Sequence, residues 1–241
     1  MSDVGVGDVF LGTEGNIRVD IPGAPIWLVH GTWNRDDGGI KDHWDDAGFR
    51  TYIRGLFGYD YHRPEWDGIN NMPSRIQGAQ AIAKQIKCWS RVNPDLPLIL
   101  IGFSHGGNVN KEIVNILARE TPPVFVNTLI NIATPIRPEF TLSVRVGQHI
   151  NVFNRLDAIQ VAGSQHTITV GVPDAESGMD LPRQRRALSR DPRRYEGALN
   201  IEVPRPFIFV FHFLDNHKFM HANPAVWDGH IREHIILPPP N

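Results

Sequence analysis

The chain has little that could staple or anchor it from outside its own core. A single cysteine, Cys88, stands among 241 residues, so an intrachain disulfide is impossible. That is compatible with a reducing compartment without requiring one. Cys88 has no partner motif around it and reads as a small residue near the end of a helix. Long apolar runs are missing as well: the longest, such as residues 98–103, fall far short of the roughly 20 residues that cross a bilayer. The first ten residues, MSDVGVGDVF, contain no basic segment leading into an apolar stretch, which predicts no secretory signal peptide. Charge of one sign is absent too. The 24 basic and 26 acidic residues leave a formal net charge of −2, which excludes the basic footprint of a nucleic-acid binder. There is no internal repeat, and no low-complexity tract beyond the tail at Pro238, Pro239 and Pro240. Together these absences predict a protein that is soluble and cytoplasmic as synthesised, with signal-less secretion left open.

What is present fits one large α/β domain spanning residues 1–241. Apolar residues make up 41% and charged residues 21% of the chain, enough to bury an ordinary core. Short apolar runs alternate with helical periodicity, the signature of a mostly parallel sheet covered by helices on both faces. Strands are predicted at 24–29, 98–102, 124–132, 149–153 and 198–203, with a weaker one at 59–66. A helix is predicted at 75–89, where Ile76, Ala79, Ala83, Ile86 and Trp89 share a face. Another is predicted at 108–119 with Val109, Ile113, Ile116 and Leu117 on one stripe, and a third at 224–234. Residues 171–197 break the pattern: six arginines interspersed with Pro, Ser and Gly predict a surface loop, or a flap beside a functional site.

The sharpest signal is Gly102-Phe103-Ser104-His105-Gly106. A bare GxSxG is weak, but this one leaves an apolar strand and enters an amphipathic helix directly, the setting of a nucleophile elbow. The serine must project from a tight, crowded turn, so its neighbours two residues away on each side must be small. The helix N-terminus then turns free N–H groups toward the place where an oxyanion would form. His30-Gly31-Thr32-Trp33, at the end of an earlier strand, lies where parallel sheets gather their sites. Two oxyanion donors are therefore predicted, the N–H groups of His105 and Thr32.

A serine hydroxyl needs a base, and the base needs an orienting group. In the order serine, acid, histidine, the acid belongs after the second strand beyond the elbow. Asp157 stands there; its bland reading is a helix-capping aspartate. Asp174 and Asp180 fall in the irregular segment and fit less well. The base must come late. His212 lies in an apolar run and should be buried, while His230 and His234 fall on the last helix and should be at the surface. His217 and His221 remain, both in a loop predicted over 215–223. The i, i+4 spacing of these histidines could also suit a metal, but no third ligand accompanies it, and no metal is predicted. Trp33, Phe103 and Phe219 flank the site in sequence and suggest an apolar substrate pocket; their bland reading is core packing.

The pattern resembles the α/β-hydrolase superfamily, in particular its bacterial lipase-like and esterase-like members, from about Ile26 to Trp227. The resemblance is carried by HGTW at 30–33, by Trp66-Asp67-Gly68-Ile69-Asn70 followed by Arg75, and by Ile101 to Val109, which is similar to IGHSHGGNV. It extends to Asp157-Ala158-Ile159-Gln160 and to the stretch from His217 to Trp227. It departs at Phe103, where the family usually has histidine, and at Lys218, where serine often stands. The resemblance implies an α/β-hydrolase fold and a cofactor-free esterase or lipase working through an acyl-enzyme. It places the catalytic histidine on His217, with Ser104 and Asp157 completing the triad. The implied partner is a small-molecule or lipid ester, with transient contact at a membrane surface left open. Some signal-less relatives resemble type VI secretion lipase effectors. A thioesterase or amidase would use the same triad, and a non-catalytic binding protein could keep the scaffold.

Overall fold

A computed structural model describes residues 23–32, 44, 46–164, 192–204 and 213–236. Its centre is a six-stranded sheet, all parallel, in the order β2-β1-β3-β4-β5-β6. The strands are β1 (Ile26–Val29), β2 (Tyr61–His62), β3 (Ile99–Phe103), β4 (Thr128–Ile132), β5 (Gln148–Phe153) and β6 (Leu199–Glu202). The expected strand at 59–66 shrinks to two residues on the sheet edge, next to Pro64, which has no N–H to give a ladder. No helix among the described residues is long and apolar enough to cross a membrane.

Alternation along the strands separates two apolar layers. Ile26, Leu28, Ile99, Ile101, Ile130, Ile132, Ile150 and Val152 face one side, where they meet α1 (Ala47–Phe57) and the aromatic Trp227. Trp27, Val29, Leu100 and Leu129 face the other, against α2 (Met72–Val92) and α3 (His105–Leu117). Helix α1 lies outside the elements expected from the sequence. Asp46 caps its start through Oδ1, Gly58 ends it at φ 74°, and Phe49, Ile53 and Phe57 make the buried i, i+4, i+8 stripe.

Three expectations need correcting. The stripe of α2 is rotated: Arg75, Gly78 and Ile82 are buried with Ala79, Ala83, Ile86 and Trp89, while Ile76 is only half-buried. Helix α3 starts three residues earlier than the pattern suggests, and is buried on nearly all sides rather than on one stripe, including Asn108, Asn110 and Lys111. The last helix is α-helical only at α6 (Pro224–Val226), then widens to a π turn over Trp227–Ile231 and tightens to a 3-10 turn over Arg232–His234. This winding keeps Trp227 and Ile231 both in the core; His230 and His234 are half-buried rather than fully at the surface.

The α3 side of the sheet also carries a polar row across β4 to β6. Asn131, Asn151 and Asn200 stand in register across those three strands. Asn151 Nδ2 donates to Asn200 Oδ1 at 2.8 Å, and Asn131 meets His149 Nε2 at 2.9 Å. Lys111 of α3 is 1% exposed, and its ammonium meets the hydroxyl of Tyr195 at 3.1 Å.

Burial pushes Lys111 from 10.5 down to about 7, with Glu139 opposing the shift. The unfolded chain therefore holds more protons than the folded one between about pH 7 and 10.5, so stability rises with pH across that window. The expected result is a thermal midpoint that climbs from pH 7 to pH 9.5 more steeply in the wild type than in Lys111→Met, read by circular dichroism. Equal slopes would show that the amine is not held in this state.

Candidate active site

Strand β3 ends at Phe103 and helix α3 begins at His105, leaving Ser104 alone in the turn. Its backbone is at φ 52°, ψ −131°, a conformation that costs a non-glycine residue of order 1–3 kcal/mol. The Ser104 N–H bonds Ile132 O of β4 at 2.9 Å, which fixes the turn against the sheet. The flanking glycines are required by contact. A Cβ on Gly106 would run into the carbonyl oxygens of Val29 and His30, and one on Gly102 would lie 2.6 Å from Gly107 Cα. Strand β1 and the first turn of α3 thus pass too close for any side chain.

The same closeness brings the His30-Gly31-Thr32 turn to the serine: a Cβ on Gly31 would sit 3.0 Å from Ser104 Cβ. His30 is buried and holds this turn. The Trp66 N–H donates to His30 Nε2 at 3.4 Å, so the proton sits on Nδ1, which donates to Gly31 O at 2.7 Å. The Gly31–Thr32 peptide is planar and trans, so an anchored carbonyl turns the Thr32 N–H the opposite way. Trp66 stacks on His30 with 5.4 Å between centroids, and its Nε1 donates to His30 O. Sequence reading marked Trp66 only by resemblance and gave His30 no side-chain role. Trp33 lies outside the described residues.

On the other side of Ser104 is His105. Burial, then the charges of Arg75, Arg137, His217 and Lys111, hold its imidazole well below the usual histidine range, so it is neutral. Asn108 Nδ2 donates to its Nδ1 at 3.1 Å, which leaves the proton on Nε2. The ring is therefore a neutral packing group; what it offers the site is its backbone N–H at the start of α3.

Asp157 follows β5 and caps the short helix α4 (Ala158–Ala162). It is fully buried and divides its two oxygens between two tasks. Oδ1 accepts from the Gln160 N–H at 2.9 Å, and Oδ2 accepts from His217 Nδ1 at 2.8 Å. One carboxylate thus caps a helix and holds an imidazole at the same time.

His217 lies in the last turn of α5 (Phe213–Lys218), not in the loop expected over 215–223. Its ring is 4.9 Å from the Phe103 ring, which puts it against the residue that precedes Ser104. His221 takes another position. Its Nδ1 donates to Lys218 O at 2.7 Å, and its ring stacks on Phe103 at 4.0 Å and meets Trp44 edge-on. Phe103 thus meets the rings of both histidines, and His217 is bonded to Asp157. Phe219 is half-buried and packs against the apolar layer shared with α1. His212 and residues 165–191, which include Asp174, Asp180 and most of the arginine-rich segment, lie outside the described residues. No group of three or more His, Cys, Asp or Glu among the described residues could hold a metal ion.

A parallel sheet in the order β2-β1-β3-β4-β5-β6, with a strained serine between β3 and α3 and an aspartate directly after β5, decides the architecture. This is the α/β-hydrolase fold. No family model matches the chain, and no curated protein does. Among solved structures of this α/β-hydrolase kind, the chain is similar to an α/β serine hydrolase without lid from Xanthomonas campestris. The identity is 16% over 92% of this chain and 87% of that one, with a TM-score of 0.46. A predicted CIB-like hydrolase from Thermoplasma acidophilum is 14% identical over 86% and 83%, with a TM-score of 0.45. An extracellular α/β-hydrolase from a Paenibacillus species is 21% identical over 47% of this chain, with a TM-score of 0.29, and the match spans only 41% of its length. At these identities the likeness concerns the fold alone, and residue roles rest on the geometry of this chain.

Proposed function

We propose that the chain is a serine hydrolase that cleaves carboxylic esters through an acyl-enzyme on Ser104. The observation that carries this reading is the Asp157–His217 pair, bonded at 2.8 Å and packed against the residue next to Ser104. A surface serine at an ordinary turn has no need of a buried, oriented imidazole beside it, nor of a strained backbone.

In this mechanism Ser104 Oγ attacks the ester carbonyl carbon while His217 Nε2 takes its proton. Asp157 keeps the other ring proton on Nδ1, so that Nε2 is the free base, and steadies the imidazolium that forms. The carbonyl oxygen becomes an oxyanion held by the N–H groups of His105 and Thr32; one such donor is worth about 3 kcal/mol of barrier. The His217 proton then goes to the leaving alcohol as the C–O bond breaks. Water repeats the cycle in reverse and frees Ser104. No step requires a cofactor.

A short p-nitrophenyl ester tests the reading. The expected result is a burst of nitrophenol equal to the enzyme concentration, followed by slower turnover, because the activated aryl ester makes acylation faster than deacylation. Faster turnover of a matched thioester or anilide would reassign the substrate class while keeping the serine. Absence of both burst and turnover on all three would remove the hydrolase reading and leave a binding protein on this scaffold.

A further inference from the structure

Two carbonyl oxygens in the turn after β4 are the meeting point of side chains from the helix that Ser104 opens and the helix that Asp157 caps. The turn starts at Ala133, held at φ 51° with its N–H on Val152 O at 2.8 Å. Asn108, in the first turns of the helix that Ser104 opens, donates Nδ2 to Pro135 O at 3.1 Å. Gln160, whose N–H is capped by Asp157, donates Nε2 to Thr134 O at 2.9 Å. Between them comes the Tyr195 hydroxyl, 3.0 Å from Pro135 O and 3.4 Å from Thr134 O.

Tyr195 is placed firmly for this. Its N–H donates to Asn200 Oδ1, and its carbonyl accepts from Asn200 Nδ2, both at 2.9 Å, so one amide of β6 grips its backbone at both ends. The hydroxyl has a single proton, which goes to a carbonyl; its oxygen accepts from Lys111 Nζ at 3.1 Å, and that nitrogen also lies 4.4 Å from the ring centroid. A buried amine that donates into the phenol oxygen aims the O–H at the turn. Burial raises the phenol well above the ordinary tyrosine range, which keeps it a donor.

We propose that Tyr195 is a positioning residue for the catalytic groups: its hydroxyl, aimed by Lys111, clamps the Ala133–Pro135 turn and so fixes the Ser104 helix relative to the helix that Asp157 caps. The proposal rests on the serine-hydrolase reading. Tyr195 touches no reacting atom. It acts through the distance between nucleophile and base, where a displacement of about 1 Å costs on the order of a hundredfold in rate.

The test is pre-steady-state hydrolysis of the p-nitrophenyl ester by wild type, Tyr195→Phe, Lys111→Met and the double variant, each checked for folding by circular dichroism. Tyr195→Phe is expected to keep the full burst amplitude and KM within about twofold while acylation and deacylation, which use the same base, both slow about ten- to a hundredfold. Lys111→Met is expected to lower both rates less, and to add nothing in the Tyr195→Phe background. A merely structural role would instead reduce the amplitude, because fewer molecules would be competent, and leave the rate of the rest unchanged. That outcome, or a wild-type acylation rate in both single variants, overturns the proposal while the serine mechanism stands. Should Tyr195→Phe fail to fold, Lys111→Met decides by the same two readouts, since it leaves the tyrosine in place. A wild type with neither burst nor turnover removes the serine-hydrolase reading itself, and the proposal falls with it.

Discussion

Ser104→Ala is expected to lower kcat on the order of 10⁵- to 10⁶-fold while leaving the fold intact. Loss of a catalytic serine removes the covalent route altogether, and what survives is the smaller acceleration from oxyanion donors and binding. The fold should tolerate the change because the strain at this position belongs to the backbone and not to the hydroxyl. The chain already holds an alanine at a positive φ, Ala133 at φ 51°, one strand away. The thermal midpoint of Ser104→Ala should therefore lie within a degree or two of the wild type, a shift of a few tenths of a kcal/mol. Steady-state rates on the p-nitrophenyl ester, with a thermal melt on the same preparation, check both halves. A variant that melts far lower would mean that the hydroxyl has a structural bond and that the lost rate cannot be assigned to chemistry.

The second large effect is expected at Asp157, where activity and stability can be separated. Asp157→Asn keeps an amide oxygen that can cap α4 at the Gln160 N–H, since asparagine caps as well as aspartate. It presents an N–H₂ to His217 Nδ1 in place of the oxygen that accepts at 2.8 Å. The imidazole then favours the tautomer with its proton on Nε2, which cannot take a proton from Ser104, and kcat should fall about 10⁴-fold. Stability should barely change. Asp157→Ala should lose the same activity and, in addition, about 1 kcal/mol of capping. Equal melting points for the asparagine and alanine variants would show that the cap contributes nothing.

The sequence was most readable where burial is complete. Strands β3 and β4 are buried at every position, and a run such as Ile99 to Phe103 has no other ready interpretation. The elbow was readable for a related reason: Gly102 and Gly106 stand where two backbones approach, and only a residue without Cβ fits. Asp157 was singled out from its place after β5, and the contacts to Gln160 and His217 fall on separate oxygens of its carboxylate. His217 was singled out by likeness alone, because its distinction from His221 depends on a partner 60 residues away in sequence.

Other features have no local signature. A lysine in an amphipathic helix reads as the solvent side, yet Lys111 is enclosed, with its amine donating a hydrogen bond to a tyrosine 84 residues later. The row Asn131, Asn151 and Asn200 becomes a polar face only when three strands come into register. The hold of His30 on the Gly31 carbonyl depends on a tautomer set by the Trp66 backbone N–H, which periodicity cannot reveal. Helix α1, by contrast, carried its signals openly, with an aspartate cap, a glycine stop and phenylalanines eight residues apart at Phe49 and Phe57.

Fluorophosphonate labelling followed by peptide mass mapping puts the central claim to its most direct test, because only a serine activated by a neighbouring base reacts at an appreciable rate. The account predicts one phosphonate per chain, located on the peptide containing Ser104, and loss of labelling in both Ser104→Ala and His217→Ala. Labelling at another residue, or undiminished labelling of Ser104 in His217→Ala, would contradict it.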